Sequence, residues 1–543
     1  MPSRATGTDK KAQVEHVDHP IPTASPNADV EGGKTLPAAF GAIDEETAKY
    51  LNPDIVIDEE TNQRIKSMLN RRILPFLIIT YFFQTFDKGT LAFSSIMGIQ
   101  RDVGLVGQQY ALLGTILYVG ILVGEIPANR IIQLFPIAKF LGVLIILWGI
   151  LVMCHAACKT WSGLMAVRFL LGLFESAVQP CLMTLTVMYY RREEHPTIIS
   201  YWYCQQGVQL GVAGLLAYGL TYIENAAIYS WQALFLIVGG LTVIWGCLIL
   251  VFLPDSPMRA KCFDEETKTL ILERLRVNEL GVQDKRFKWE QLREAFKDPV
   301  VWLYLLMQFT CFLIVGSLAV FSNIIVNGLG FSVRQTQLLN LAQGGWSVLI
   351  YISSAWLARW TKQTILVLIC FMIVALVGTI VLNAVAVTPA TAAGLLIAFY
   401  LANCCIVSGN LLWSLVTRNI AGQSKKVTTY TSMFIMFAAG NMVGPQIFQS
   451  FDGPRYHTAF SVHIALYGQS CAEGLALFIV TAILLRFVLM RRNSVRRKAQ
   501  AEVEGNMTQL SARDPQTAEI VQHDAAFADL TDLANTRSFR YMY

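Results

Sequence analysis

From about residue 73 onward the chain alternates between apolar runs of some twenty residues and short polar breaks. An α-helix rises about 1.5 Å per residue, so about twenty apolar residues cross the ~30 Å hydrocarbon core of a bilayer. The runs fall near 73–97, 109–134, 137–157, 161–190, 197–222, 231–253, 300–327, 335–358, 364–387, 391–416, 428–449 and 461–489, which predicts twelve membrane-spanning helices. Glycine, serine and glutamine interrupt several of them. Such interruptions suit helices that pack on one another or line a cavity rather than face lipid all round. The charged interval 254–299 divides the series into six and six. The predicted organisation is an all-α membrane protein with a disordered N-terminal segment 1–72, a six-helix half 73–253, a linker 254–299, a second half 300–490 and a tail 491–543.

Composition agrees with this pattern. The 543 residues are 54% hydrophobic and 15% charged, with a mean hydropathy of +0.46, against about 25% charged residues in a soluble domain. Lys and Arg concentrate in alternate loops, at Arg130 and Lys139, Arg359 and Lys362, Arg418, Lys425 and Lys426, and in the stretch from Arg491 to Lys498. By the positive-inside rule this places both termini in the cytoplasm. The polar leader contains no apolar core of a cleavable signal. Most of the eleven cysteines lie inside apolar runs and read as small hydrophobes rather than a disulfide framework or a metal site. No cofactor, metal or nucleic acid is expected.

The charges inside the apolar runs carry the candidate chemistry. An ionisable group at mid-membrane costs several kcal/mol, roughly 3 on insertion scales, and is functional by default. The stretch RFLLGLFES, residues 168–176, sets Arg168 and Glu175 two helical turns apart on one face, with Gly172 between them, which reads as space beside a cavity wall. A guanidinium stays charged and binds a carboxylate bidentately. A buried carboxylate can load and release a proton near neutral pH. Asp87 and Lys88 sit near the middle of the first run. Glu125, near the end of the second run, is expected to pair with Arg130 or Lys139 in a gate. Gln205, Gln209 and Asn441 are softer candidates for contact with a substrate, since each amide can bond a carboxylate but serves equally as a link between helices.

Several stretches together are specific to a family: FDKGTLAFSSIMG (86–98), RFLLGLFES, LPDSPMRAKCF (253–263), FKWEQLREAFKDP (287–299), AGNMVGPQIFQSFDGPRY (439–456) and the tail AFADLTDLANTRSFRYMY (526–543). The chain resembles fungal members of the anion:cation symporter family of the major facilitator superfamily, in the allantoate permease branch. The resemblance implies the major facilitator fold, twelve helices in two halves around a central site. It implies proton-coupled symport of a small organic anion, such as allantoate, nicotinate or pantothenate, across the plasma membrane. On that reading Arg168 and Lys88 bind the anion, Glu175 and Asp87 carry protons, and Asn441 belongs to a family motif. The expected partners are the anion and the lipid bilayer, with protons as the coupling ion and the chain acting as a monomer. The chain departs from the branch at Asn129, where the superfamily has an acidic residue, and in IVGSLAVFSN (314–323) and LLNLAQGG (338–345). Rival readings are an exporter of an acidic secondary metabolite and a transport-derived nutrient sensor. An enzyme is not expected.

Overall fold

The computed structural model describes residues 57–543 apart from 133, 192, 224–227, 261, 280–287, 454, 468, 471–473, 476, 514–530 and 534–539. Residues 1–56 of the leader, expected to be disordered, lie outside the described residues. The expectation fails for residues 59–72, which form the helix Glu59–Arg72. Asn62, Ile65 and Leu69 make its buried stripe at spacings of three and four.

The spans follow in order. Span one is Leu74–Ile96, span two Gln109–Ile132 and span three Ile137–Cys154. Span four runs from Trp161 to Tyr189 in two pieces, Trp161–Glu175 and Val178–Tyr189. Pro180 lies just past the break; it has no N–H to return to the carbonyl four residues back. Span five, Gln205–Leu220, is led by a short helix, His195–Tyr203, and span six is Ser230–Phe252. The second half contains Pro299–Gly328, Val333–Thr361, Thr364–Ala384, Ala392–Asn419 and Gln423–Val443 as spans seven to eleven.

Span twelve differs from the continuous run expected over 461–489. It is split into His457–Tyr467 and Leu477–Arg513, with a two-residue antiparallel ladder between them that pairs Gln469 with Leu475 and Ser470 with Gly474. The stretch GQSCAEG (468–474) carries two glycines, which are poor helix formers. Its second piece continues beyond residue 491, where the tail was expected to begin.

Among the described residues, seven helices are long and apolar enough to cross a membrane on their own: spans two, three, four, six, seven, nine and ten. The other five carry glycine, amide or charged residues along their length. Their polarity is absorbed by packing. Gly207, Gly211 and Gly214 of span five let it press on span eight, where a Cβ at Gly214 would stand 2.6 Å from the Gln337 carbonyl. Span eleven packs on span seven in the same way, through Gly440 and Gly444.

Each half keeps its own ionic hub at the end of the bundle that carries the described terminal segments, called the terminal end below. In the first half, Arg274 of the linker helix Glu265–Glu279 donates to Asn62 at 2.7 Å and to Glu194 at 2.6 Å, and Lys66 lies 3.3 Å from Glu194. In the second half, buried Lys425 bonds Asp298 at 2.9 Å, Glu294 at 2.9 Å and Asp532 of the tail at 2.7 Å, while Arg492 closes on Asp298 at 2.7 Å. The linker is thus shared: its first helix docks on one half and its second, Trp289–Lys297, on the other.

At the opposite, distal end the halves are joined directly. The Tyr110 hydroxyl donates to the Val320 carbonyl at 2.9 Å and the Thr115 hydroxyl to the Met442 carbonyl at 2.8 Å. Gln446 donates to Thr115 at 2.8 Å, Gln108 to Gln449 at 2.7 Å, and Gln337 to the Phe93 carbonyl at 3.1 Å. The ion pairs named above at the terminal end all stay within one half and its own linker helix. The molecule is therefore tied shut distally by neutral hydrogen bonds.

Candidate functional site

Span one delivers two charges into the interior because its sequence, TYFFQTFDKGT, embeds Asp87 and Lys88 in an otherwise apolar helix. Asp87 is fully buried. The Trp148 indole of span three donates to its Oδ2 at 2.9 Å, and the Thr90 hydroxyl donates to its carbonyl at 2.6 Å. Adjacent residues on a helix point about 100° apart, so Lys88 faces elsewhere: its Nζ lies 2.8 Å from Glu175 Oε1. The sequence-predicted anion-binding lysine and proton-coupling glutamate are therefore paired with each other.

Arg168 is 2% exposed, and its Nε and Nη2 have no hydrogen-bond partner. The same holds for Oε2 of Glu175. Charge acts between all four groups: Arg168 and Glu175 on Asp87, Glu175 and Asp87 on Lys88, and Asp87 and Glu175 on Arg168. Two cations and two carboxylates thus form one balanced cluster, in which the guanidinium keeps donor capacity unspent. Burying an unsatisfied donor costs about 1–3 kcal/mol, more for a charged group.

Gly172 does not open space beside this cluster. A Cβ there would lie 2.0 Å from the Leu117 carbonyl, and one at Gly120 2.3 Å from the Phe169 carbonyl. The glycines let spans two and four touch backbone to backbone, which fixes the helix that carries Arg168 and Glu175. Gly124 continues the seam against Leu173 and Ser176.

The amide candidates divide. Gln209 is buried beside span one, its Oε1 without a partner and 3.3 Å from where a Cβ on Gly89 would stand. Gln205 is half-buried at the start of span five, and its neighbour Gln206 instead accepts the Tyr351 hydroxyl at 2.7 Å. Asn441 is spent on packing: its Nδ2 donates to the Phe437 carbonyl at 2.8 Å, and its side chain fills the space over Gly316 of span seven. Glu125 and Arg130 lie at the terminal end of span two, after its glycine seam. The alternative partner expected there, Lys139, pairs with Asp255 at 3.8 Å.

Two residues join the candidate set that the sequence reading did not single out. Trp148 holds Asp87, and nothing in its apolar surroundings distinguishes it from a lipid-facing tryptophan. Gln308 is fully buried in span seven with both amide atoms unpartnered. A lone amide in the run VVWLYLLMQFTCFLIV was a readable signal.

Comparison with known proteins agrees with this architecture. The model of the Major Facilitator Superfamily matches residues 77–445. The thiamine pathway transporter of Saccharomyces cerevisiae is 32% identical, the match covering 92% of this chain and 91% of that one. The allantoate permease of the same yeast is 29% identical over 90% of this chain and 88% of its own, and its high affinity cysteine transporter 29% over 89% and 91%. Among solved structures, a bacterial homologue of the human lysosomal transporter Spinster in an inward-facing, unoccupied conformation superposes with a TM-score of 0.57 at 13% identity, covering 76% of this chain and 94% of that one. A D-xylose–proton symporter superposes with a TM-score of 0.56 at 12% identity, over 76% and 96%. Helices that span a membrane, two halves joined by a shared linker, and relatives that are transporters rather than enzymes lead to one conclusion: this chain is a multi-pass membrane transporter of the major facilitator superfamily.

Proposed function

We propose that the chain is a proton-coupled symporter of a small organic anion, working by alternating access in the plasma membrane with both termini in the cytoplasm. The observation that carries this reading is Arg168, a buried permanent cation with two hydrogen-bond donors left open. A carboxylate is the group that fits two such donors in parallel. On this reading Glu175 is the proton carrier and Lys88 the second anion ligand, and their 2.8 Å ion pair is the coupling element. A proton on Glu175 removes the charge that holds Lys88, which then turns to the substrate carboxylate beside Arg168. Anion and proton favour each other's binding, and by linkage the effect is reciprocal. Asp87, held by Trp148, balances Arg168 when no substrate is bound.

On this reading the distal hydrogen bonds close the outer side of the transporter. Rocking of the two halves would break the Gln108–Gln449 and Thr115–Met442 links and open the cluster to the other side. These links are neutral, which leaves the pH response to the central cluster.

The test is uptake of labelled allantoate, nicotinate, pantothenate, biotin and ureidosuccinate into cells lacking their own carriers, at external pH 5 and 7.5. The expected result is uptake of at least one carboxylate that is several-fold faster at pH 5. Absence of uptake for every compound, from protein shown to be at the cell surface, would overturn the importer reading for this class.

A further inference from the structure

The second linker helix, Trp289–Lys297, has two distinct faces. Gln291 and Ala295 are buried against the second half, where Gln291 Oε1 accepts the backbone N–H of Ser424 at 3.0 Å. The other face presents Trp289 at 69% exposure and Phe296 at 47%. Seven residues is close to two turns, so these rings lie on one line, and Arg293 sits between them one turn after Trp289. Lys297 borders the same face. An outward face of aromatics and cations is unlike the solvated face of an ordinary linker helix, which is polar throughout.

The face runs without a gap into the surface of span seven. Trp302, four positions into that span, is 51% exposed, and its indole Nε1 donates to the Phe296 carbonyl at 2.8 Å. The Phe296 and Trp302 ring centroids are 6.4 Å apart. Leu306 continues the exposed line one turn further along the span. The helix therefore leaves the terminal end at the level where a spanning helix enters its bilayer. Beside it lies an open groove of ≈ 440 Å³ bordered by Glu290, Arg293, Lys297 and the tail residue Leu533. The other two acids at the groove, Glu294 and Asp298, are committed to Lys425 and Arg492. Arg293 and Lys297 thus outnumber Glu290 there.

We propose that residues 289–302 are a membrane anchor: Trp289, Phe296 and Trp302 sink into the headgroup boundary of the leaflet at the terminal end, and Arg293 and Lys297 bind anionic phospholipid headgroups over the adjoining groove. Tryptophan and phenylalanine with Lys or Arg on one helix face are what an interfacial helix needs. Cations close to an anionic leaflet are attracted to its headgroups. The anchored helix also holds the Lys425 hub through Glu294, which ties the ionic hub of the second half to the leaflet.

The test places the photo-crosslinking amino acid p-benzoylphenylalanine at positions 289, 296, 306 or 266 of the full chain, reconstituted in vesicles of phosphatidylcholine with one-third phosphatidylserine. Adducts are identified by mass spectrometry. Position 306 on span seven must crosslink lipid, and position 266 on the exposed first turn of the other linker helix provides the background. The expected result is lipid adducts at 289 and 296 at a yield close to that at 306 and at least fivefold above that at 266. Phosphatidylserine should be enriched in the adduct at 296, and Arg293→Glu with Lys297→Glu should return it to its bulk share. Yields at 289 and 296 no higher than at 266, or adducts mainly to protein, would overturn the proposal. Phosphatidylserine enrichment that survives the double charge reversal would overturn the headgroup assignment.

Discussion

Arg168→Ala is expected to abolish transport. The substitution removes the two open donors that a substrate carboxylate would occupy. Losing one partner of a buried, hydrogen-bonded charge pair costs about 2–5 kcal/mol, and each 1.4 kcal/mol is about tenfold. Anion affinity should therefore fall about 30-fold to several thousandfold. Arg168→Lys should recover only part of this, because an ammonium cannot make the parallel pair of bonds. The substitution also strips Asp87 of the cation that acts on it most strongly. Poor folding is thus a foreseeable complication, and Arg168→Ala combined with Asp87→Asn separates the two effects. The double variant should match wild type in thermal stability and remain inactive in uptake. Uptake at the wild-type rate by either variant would mean that the guanidinium is structural.

The second large effect is expected at the hub of the second half. Lys425→Met removes the cation that bridges Glu294, Asp298 and Asp532 and leaves Arg492 alone to balance Asp298 and Asp532. Breaking a buried pair in this way costs roughly 3–5 kcal/mol, which corresponds to a fall in Tm on the order of 10 °C. Asp532→Asn should cost less, since Asp298 still holds Lys425, and it should relieve part of the loss when added to Lys425→Met. Thermal denaturation of the purified transporter followed by intrinsic fluorescence checks both. An unchanged Tm for Lys425→Met would show that the tail and the linker helix contribute nothing to the half they touch.

This hub gives the DLTD tail motif a physical role. Asp532 reaches Lys425, the Tyr541 hydroxyl donates to Asp532 at 2.7 Å, and Asn493 exchanges hydrogen bonds with the Tyr541 backbone at 2.8 and 3.0 Å. Within the hub, Asp298 does not titrate near neutral pH. Burial works to raise the Asp298 carboxyl, but Arg492 and Lys425 hold it below its ordinary 3.8, so its contribution is present above that value and is lost as pH falls through the still lower folded value. Between pH 5 and 8 its charge does not change.

Most of the architecture was legible because the bilayer imposes a length on every span. The seven strongly apolar helices were legible from composition, and spans one, five, eight and eleven from runs that polar residues interrupt without ending. The break in span twelve was not, although GQSCAEG lies inside the run 461–489, because one glycine-rich interruption looks like the others that the chain tolerates. The helix Glu59–Arg72 was missed for the opposite reason: EETNQRIKSMLNRR is polar, and three buried positions are a thin signal in so polar a stretch.

The charged members of the site were legible because charge inside an apolar run is costly and stands out. How they pair was not legible, since Lys88 and Glu175 meet from spans one and four, 87 residues apart in sequence. Glycine was ambiguous in a physical sense. Gly172 is the same letter whether it leaves a cavity open or admits a neighbouring backbone, and here it admits Leu117. Asn441 shows the same ambiguity for an amide, which can serve a substrate or a helix contact.

The central claim is that a proton on Glu175 frees Lys88 for the anion. Its most direct test is the affinity of the purified transporter, between pH 5.5 and 7.5, for whichever carboxylate the uptake panel shows to be carried. Wild type should bind more tightly as pH falls. Glu175→Gln, a permanent mimic of the protonated side chain, should bind at least as tightly as wild type does at pH 5.5 and show no slope with pH. A Glu175→Gln variant that keeps the wild-type slope, or that binds weakly at both ends of the range, would contradict the account.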